Sequence, residues 1–101
     1  MNGYDISERA QRDLDEIWTY IALRDFSAAD RLADKFVSKF EMVSRQPLIG
    51  DSAGHLSPGL RRVLCGNYAV YYEIVAERVS ISRIIHCDLY PSFKRVSLSS
   101  R

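Results

Sequence analysis

A small set of polar side chains, most of them in the second half of the chain, has the residue types needed for chemistry at a phosphate. Cleavage of a phosphodiester by a neighbouring hydroxyl needs a proton acceptor, a proton donor for the leaving oxygen and fixed positive charge. His86 and Tyr90 could carry protons, and Glu73 could act as a base. A surface that binds another protein would need the same positive charge but no reactive group. The basic candidates for either role are Arg61, Arg62, Arg83, Lys94 and Arg95.

Several of these candidates also have a structural interpretation. An exposed strand arginine often lays its aliphatic stem over apolar neighbours, which would account for Arg61. Arg62 points to the opposite face of a strand, so we expect one of the two arginines to face a given partner. His86 would be a hydrogen-bonded histidine at a strand end. Arg83 falls at an apolar position of the strand alternation, so either the strand bulges there or the arginine is held in a partly buried polar arrangement.

Two amphipathic helices precede most of these residues. Ser7 can cap a first helix, which should end near residues 24–25. Ser27 followed by Asp30 predicts the start of a second helix, which must end before Pro47 because proline lacks the backbone N–H. The two helices should form an antiparallel hairpin. Its apolar residues recur at intervals of three and four, and are Ala10, Leu14, Ile17, Trp18 and Ile21, then Ala29, Leu32, Ala33, Phe36, Phe40 and Val43.

Strand patterns occupy most of the remaining chain. Tyr4–Ser7 is a short opening strand, and Leu60–Cys65, Tyr68–Val75 and Arg78–Cys87 are three later strands, whereas 48–54 has the composition of a loop. The short connections favour antiparallel pairing of the later strands. The helical hairpin must bury its apolar stripe against the sheet. The sequence therefore predicts an α+β fold, with the hairpin packed on a small, mainly antiparallel sheet in the order β-α-α-β-β-β.

Length and composition indicate one small globular domain. The 101 residues, 47% hydrophobic and 27% charged, suit a single core. We expect the domain to span 1–96 and a short flexible tail to span 97–101. Residues 51–101 carry 7 basic and 4 acidic side chains, against 7 and 9 in residues 1–50, which would suit an acidic or anionic partner. Apolar runs stay well short of the roughly 20 residues that span a bilayer.

The cysteine pattern gives no sign of a metal site. Cys65 and Cys87 stand in apolar strand-like runs without a CxxC spacing, so we interpret them as small buried hydrophobic residues. A secretory signal pattern is absent from the start of the sequence, which makes a reducing, cytoplasmic location the expectation. We expect no metal and no other cofactor.

Five separated motifs follow one another along the chain: AQRDLDEIWTYI at 10–21, QPLIG at 46–50, GLRR at 59–62, GNYAVYY at 66–72 and RIIH at 83–86. Together they resemble the RelE/ParE superfamily of bacterial toxins, and more closely its ParE branch. The resemblance covers roughly residues 4–90, and the agreement lies in the order and spacing of the motifs rather than in any one of them.

The resemblance implies the toxin of a type II toxin–antitoxin system, held in a hetero-oligomer by a ParD-like antitoxin whose flexible C-terminal part wraps the toxin. ParE-like toxins inhibit DNA gyrase, so gyrase is the expected target, with no catalytic residue, no membrane and no direct sequence-specific nucleic-acid binding. Exposed apolar positions beside Leu14, Trp18 and Phe40 are the expected antitoxin contacts. The candidates for target contact are Arg61, Arg62, Arg83, His86, Lys94 and Arg95.

Two alternatives remain open on the sequence. RelE-like relatives cut messenger RNA in the ribosomal A site, and Glu73, His86 and Tyr90 keep that reaction possible here. The lysine cluster of those enzymes is missing, since the only lysines are Lys35, Lys39 and Lys94. An inactive relative that acts mainly as a co-repressor with its antitoxin is the third hypothesis. Fold alone does not choose among these functions.

Overall fold

Two helices pack on a five-stranded sheet in the computed structural model, which describes residues 3–87. The sheet order is β1-β5-β4-β3-β2; β1 runs parallel to β5 and the other neighbours are antiparallel. This confirms the predicted α+β class and the mainly antiparallel sheet. Lys94, Arg95, Tyr90 and the expected tail lie outside the described residues. The elements are β1 (Tyr4–Ile6), α1 (Glu8–Ala22), α2 (Phe26–Arg45), β2 (Asp51–Ser52), β3 (Arg61–Cys65), β4 (Tyr68–Val75) and β5 (Arg78–His86).

The start of α1 follows the capping prediction. The Ser7 hydroxyl accepts a hydrogen bond from the backbone N–H of Ala10 at 3.0 Å, which satisfies one of the free donors of the first turn. The same hydroxyl donates to the carbonyl of Ser82 at 3.1 Å, and the Ser7 N–H donates to the carbonyl of Ile81 at 3.0 Å. One residue therefore caps the helix and ties it to β5.

The predicted start of α2 is wrong by two residues. Asp25, in extended backbone, is the N-cap, and its carboxylate accepts from the N–H of Ala28 at 3.0 Å. Ser27 already lies within the first turn. Both residues are good cap types, and the short connection from α1 selects the earlier one. The helix ends at Arg45, before Pro47, as expected.

The predicted order lacked β2, because a strand of two exposed residues has no periodic pattern. It extends the sheet by pairing Asp51 with Arg62 and Ser52 with Arg61. Within the described part of the chain, neither helix has the length and apolar character needed to cross a membrane.

The main core lies between the helices and one face of the sheet. Its largest fully buried side chains are Phe36, Phe40, Val43, Val70, Tyr72, Val79 and Ile81. A smaller cluster on the other face joins Ala53, Ala69 and Tyr71 to partly buried neighbours, so the first half of β4 is buried on both faces.

A β-bulge in β5 explains the break in its alternation. Tyr71 pairs with Arg83 and Tyr72 with Ile81, which makes Ser82 the extra residue. Both Ile81 and Ile84 consequently reach the main core. The structure combines the two alternatives left by the sequence, since the strand bulges and Arg83 is also held in a polar contact.

The loop after α2 is fixed by two side chains from the sheet. The Tyr72 hydroxyl donates to the carbonyl of Pro47 at 2.7 Å and accepts from the N–H of Gly50 at 2.9 Å. Arg61 Nη2 donates to the carbonyls of Leu48 at 3.0 Å and Gly50 at 2.8 Å. A Cβ at Gly50 would collide with the Tyr72 hydroxyl, so the loop packs too closely there for a side chain.

The Tyr72 hydroxyl can be tested by Tyr72→Phe. The variant leaves the partly buried Pro47 carbonyl and the buried Gly50 N–H without this partner, and should lose about 1–3 kcal/mol of unfolding free energy in urea. Tyr20→Phe is the matched control, because Tyr20 is 61% exposed. Equal stability of the two variants would show that the hydroxyl does not hold the loop.

Substitutions in the turn between β4 and β5 should change the stability of the protein. Val75 pairs with Arg78, and the two turn residues have positive φ, 51° at Ala76 and 65° at Glu77. Such turns favour Asn-Gly, so Ala76→Asn with Glu77→Gly should raise the unfolding free energy by about 1 kcal/mol. Ala76→Val should lower it, because a β-branched residue fits positive φ poorly. The turn assignment fails if the Asn-Gly variant is no more stable than the parent chain.

Candidate functional site

The helical hairpin carries an apolar cavity of about 230 Å³ between α1 and α2, which we call the helix groove. The residues that line it recur at helical spacing on the facing sides of the two helices, so their side chains converge. All three predicted antitoxin contacts line this groove. The main lining residues are Leu14, Ile17 and Trp18 from α1 and Leu32, Phe36, Val37 and Phe40 from α2.

The prediction for this groove needs one correction. Phe40 is only 1% exposed and belongs to the main core, where it contacts the ring of Tyr4, so it forms the floor of the groove. Leu14 and Trp18 are half-buried and Val37 is exposed. Ile17 and Leu32 are half-buried as well, so a partner can reach apolar surface on both helices.

Trp18 is held in place at one end of the helix groove. Its indole N–H donates to Asp30 Oδ1 at 3.3 Å, and its ring meets Phe26 edge to face with centroids 5.2 Å apart. A fixed aromatic side chain gives a partner a large apolar contact at a small entropic cost.

A larger cavity, of about 700 Å³, lies on the opposite side of α1 and we call it the α1–β5 groove. It is opposite because its α1 residues, Arg9, Asp13, Glu16 and Tyr20, follow one helical face, while Leu14 and Trp18 follow the other. Ile17 lines both grooves. The sheet contributes Tyr68, Arg83, Ile84, Ile85 and His86.

Asp13 joins α1 to β5 at the base of the α1–β5 groove. Its side chain is largely buried, and its carboxylate accepts from Arg83 Nε at 2.9 Å and Arg83 Nη2 at 3.3 Å. The backbone N–H of Ile84 donates to the same carboxylate at 3.0 Å, and Arg9 Nε lies 3.8 Å away. Through this forked contact, the Arg83 guanidinium stabilises the packing of α1 against β5.

His86 lies at the end of β5, in a row of aromatic rings. Its ring meets Tyr68 edge to face with centroids 4.9 Å apart, and Tyr68 meets Phe36 in the same manner at 5.5 Å. Burial raises the pKa of the Tyr68 hydroxyl, with a smaller contribution from Tyr20. His86 is thus placed by packing at the rim of the α1–β5 groove.

The structure separates the remaining basic candidates. The Arg61 side chain holds the loop after α2. Arg62 is the cross-strand backbone neighbour of Asp51 on β2 and of Tyr71 on β4. Tyr71 in turn pairs with Arg83, so Arg62 and Arg83 share one row across the sheet with a tyrosine between them. Of the predicted target contacts, only Arg83 and His86 line the α1–β5 groove among residues 3–87.

Two of the residues proposed for proton transfer, Glu73 and His86, lie far apart in the described structure. His86 pairs with Tyr68 across the sheet, and Glu73 lies five positions further along β4, which is about 17 Å at 3.3 Å per residue. Glu73 and His86 therefore cannot act on one phosphate in this arrangement. Across residues 3–87 we also find no group of three or more His, Cys, Asp or Glu side chains that could hold a metal ion.

Sequence reasoning missed Asp13, although a signal was available. Asp13 follows Ala10 by three positions and precedes Ile17 by four, so a carboxylate occupies the apolar face of α1. A buried charge of this kind needs a partner. Arg83, at an apolar position of the β5 pattern, is the basic partner that this carboxylate needs.

Comparison with known protein families and sequences matches this chain to a toxin family. The model of the family described as ParE toxin of type II toxin–antitoxin system, parDE, matches residues 4–88. Toxin ParE1 of Caulobacter vibrioides is 37% identical over 87 residues, which cover 85% of this chain and 90% of that protein.

Two solved structures share the fold. A chain of the chromosomal ParDE system of P. aeruginosa superposes with a TM-score of 0.73 at 17% identity, covering 85% of this chain and 96% of that one. A chain of the RelBE2 toxin–antitoxin complex of Mycobacterium tuberculosis gives 0.57 at 26% identity, covering 84% and 96%. Both likenesses agree with the two helices and mixed sheet described above.

The contact between Asp13 and Arg83 predicts strong energetic coupling. Arg83→Gln should cost about 2 kcal/mol of unfolding free energy, less than a fully buried pair because the Arg83 side chain is 32% exposed. Asp13→Asn with Arg83→Gln should cost less than the sum of the single variants in a double-mutant cycle. The matched control is the exposed pair of Asp5 and Arg78, 3.0 Å apart, whose coupling should be smaller. Equal coupling in the two pairs would contradict the assignment.

Proposed function

Because the chain belongs to the ParE family of toxins from type II toxin–antitoxin systems, we propose that it arrests bacterial growth by binding and poisoning DNA gyrase, and that a ParD-like antitoxin neutralises it. The observation that carries this proposal is the family match over residues 4–88, nearly the whole described chain. The identity of 37% with Toxin ParE1 supports the same branch. Such a protein needs a complementary surface rather than a nucleophile.

The helix groove is our candidate for the antitoxin site. It gathers Leu14, Trp18 and Phe40 in one apolar depression, with Val37 exposed beside them. An amphipathic helix laid in such a groove is a common mode of recognition for segments that fold on binding. The relatives of known structure come from a ParDE system and from a RelBE2 toxin–antitoxin complex, which supports an antitoxin partner for this chain.

The α1–β5 groove is our candidate for part of the gyrase contact. His86 lies at its rim, and Arg62 lies on the sheet in the same row as Arg83. We assign Arg61 and Arg83 a positioning role, since each donates to groups of the fold itself. Lys94 and Arg95 remain candidates beyond the described residues.

The ribonuclease alternative has weaker support. The separation of Glu73 from His86 removes one proposed acid–base pair, and the RelBE2 likeness concerns the fold more than the groups that would react. An assay on both substrates separates the two functions directly.

Purified protein should inhibit gyrase supercoiling and increase gyrase-dependent DNA cleavage, while messenger RNA on ribosomes stays intact in a parallel assay. Arg62→Gln and His86→Phe should weaken inhibition without lowering the melting temperature; phenylalanine keeps a ring against Tyr68. Arg31→Gln, an exposed change on α2, is the matched control and should inhibit fully.

Cut messenger with normal supercoiling would overturn the gyrase proposal. Full inhibition by both Arg62→Gln and His86→Phe would leave gyrase as the target and remove these two residues from the contact.

A further inference from the structure

We infer that the segment docking in the helix groove is a basic amphipathic helix, with an apolar stripe in the groove and Lys or Arg at the flanking positions. The inference rests on the proposed function, because it takes the antitoxin as the occupant. It adds the charge that the docking helix must carry. Acidic side chains outnumber basic ones around the groove.

The α2 side of the groove carries a row of carboxylates. Asp30, Asp34, Val37 and Glu41 follow one another at intervals of four, three and four, which places them on one face of the helix. Val37 lines the groove, so the three acidic residues run alongside it. All four side chains are exposed.

The α1 side is acidic as well. Gln11 and Asp15 line the groove, and Gln11 Nε2 donates to Asp15 Oδ1 at 3.1 Å. At the end of the groove, Asp30 accepts the indole N–H of Trp18. We call Asp15, Asp30, Asp34 and Glu41 the acidic rim.

The basic side chains of the two helices point mostly elsewhere. Lys35 and Lys39 each stand two positions, or about 200° of helix rotation, from Val37, so they lie on the side of α2 away from the row of carboxylates. Arg9 lines the α1–β5 groove. Arg31 lies one position, or about 100° of helix rotation, beyond Asp30. Arg12 stands three positions, or about 60° of rotation, from the lining residue Asp15, so it borders the α1 side and offsets part of the negative charge there. The rim thus presents a net negative border to anything that fills the groove.

The dimensions of the groove suit a short helix. Its lining on α2 runs from Ala29 to Phe40, which is about 16 Å at 1.5 Å per residue. A partner helix of about three turns covers this length. Its flanking positions come near Asp15 on the α1 side and near Asp30, Asp34 and Glu41 on the α2 side. Each exposed ion pair contributes up to about fivefold in affinity at low salt.

The test uses the full chain and three synthetic helical peptides that share one leucine stripe and carry Lys, Gln or Glu at the flanking positions. Trp18, the single tryptophan of the sequence, lines the groove and reports binding by its fluorescence. The Lys peptide should bind about tenfold more tightly than the Gln peptide and the Glu peptide should bind least. The difference should shrink as salt is raised.

A pair of variants isolates the rim. Asp34→Asn with Glu41→Gln should bring the affinities of the Lys and Gln peptides within about twofold of each other. Glu73→Gln with Glu77→Gln removes the same charge from β4 and the turn after it, and should leave the tenfold preference unchanged. Circular dichroism of both variants establishes that each remains folded.

Three results would overturn the inference. Equal affinity for the three peptides would keep the groove as a helix site but remove the charge requirement. No binding by any peptide would remove the groove as a docking site. A dimer in sedimentation, with Trp18 protected from quenching, would assign the groove to a second copy of this chain. Gyrase inhibition by the same preparation tests the proposed function separately, because it does not depend on the rim.

Discussion

The shortness of β1 is the constraint on which the rest of the structure depends. β1 pairs with β5 only at Val79–Ile81, so the same edge of β5 continues without a strand neighbour beyond that point. Buried backbone groups left without partners would cost about 1–3 kcal/mol each. Two side chains of the adjoining helical segment supply the contacts instead. Ser7 donates to the carbonyl of Ser82, and Asp13 accepts from the N–H of Ile84.

These contacts determine where α1 lies and therefore where both grooves form. Helix α1 is anchored to β5 through Ser7 and through Asp13, about two turns apart, which fixes its axis relative to the sheet. Because of the bulge at Ser82, the side chains of Ile81 and Ile84 both point into the main core. The bulge also places Arg83 in contact with Asp13. With α1 fixed in this way, one of its faces meets α2 to form the helix groove, and the opposite face borders the α1–β5 groove. Ile17 touches both because it lies between those faces.

Local periodicity was enough to predict most of the fold. The start of α1 and the extents of β3 to β5 follow, to within one residue, from the apolar periodicity and the cap, which are set by residues close in sequence. Helix α1 ends at Ala22, two residues before the predicted end. The start of α2 was not predictable in this way, since Asp25 and Ser27 are both suitable caps and the hairpin geometry selects one. Likewise β2 exists only because the fixed loop brings Asp51 and Ser52 beside β3. The exposure of Phe40 was misjudged because a helical stripe predicts that a residue faces a neighbour, but not how deeply it is covered.

The arginines show why the candidate site was harder to predict than the fold. Three of those in the strands donate to oxygen atoms of the fold itself: Arg61 to the loop carbonyls, Arg78 to Asp5 and the Tyr4 carbonyl, and Arg83 to Asp13. The arginine guanidinium is planar and has five N–H donors, so it can satisfy backbone carbonyls at a sheet edge or in a loop as readily as it can bind a partner protein. In the exposed pair, hydrogen bonding by Arg78 lowers the pKa of Asp5. Residue type alone cannot separate these uses. The acceptor that each guanidinium meets is decided by the tertiary structure, so an arginine in a strand is evidence for function only after the acceptors within its own fold are known.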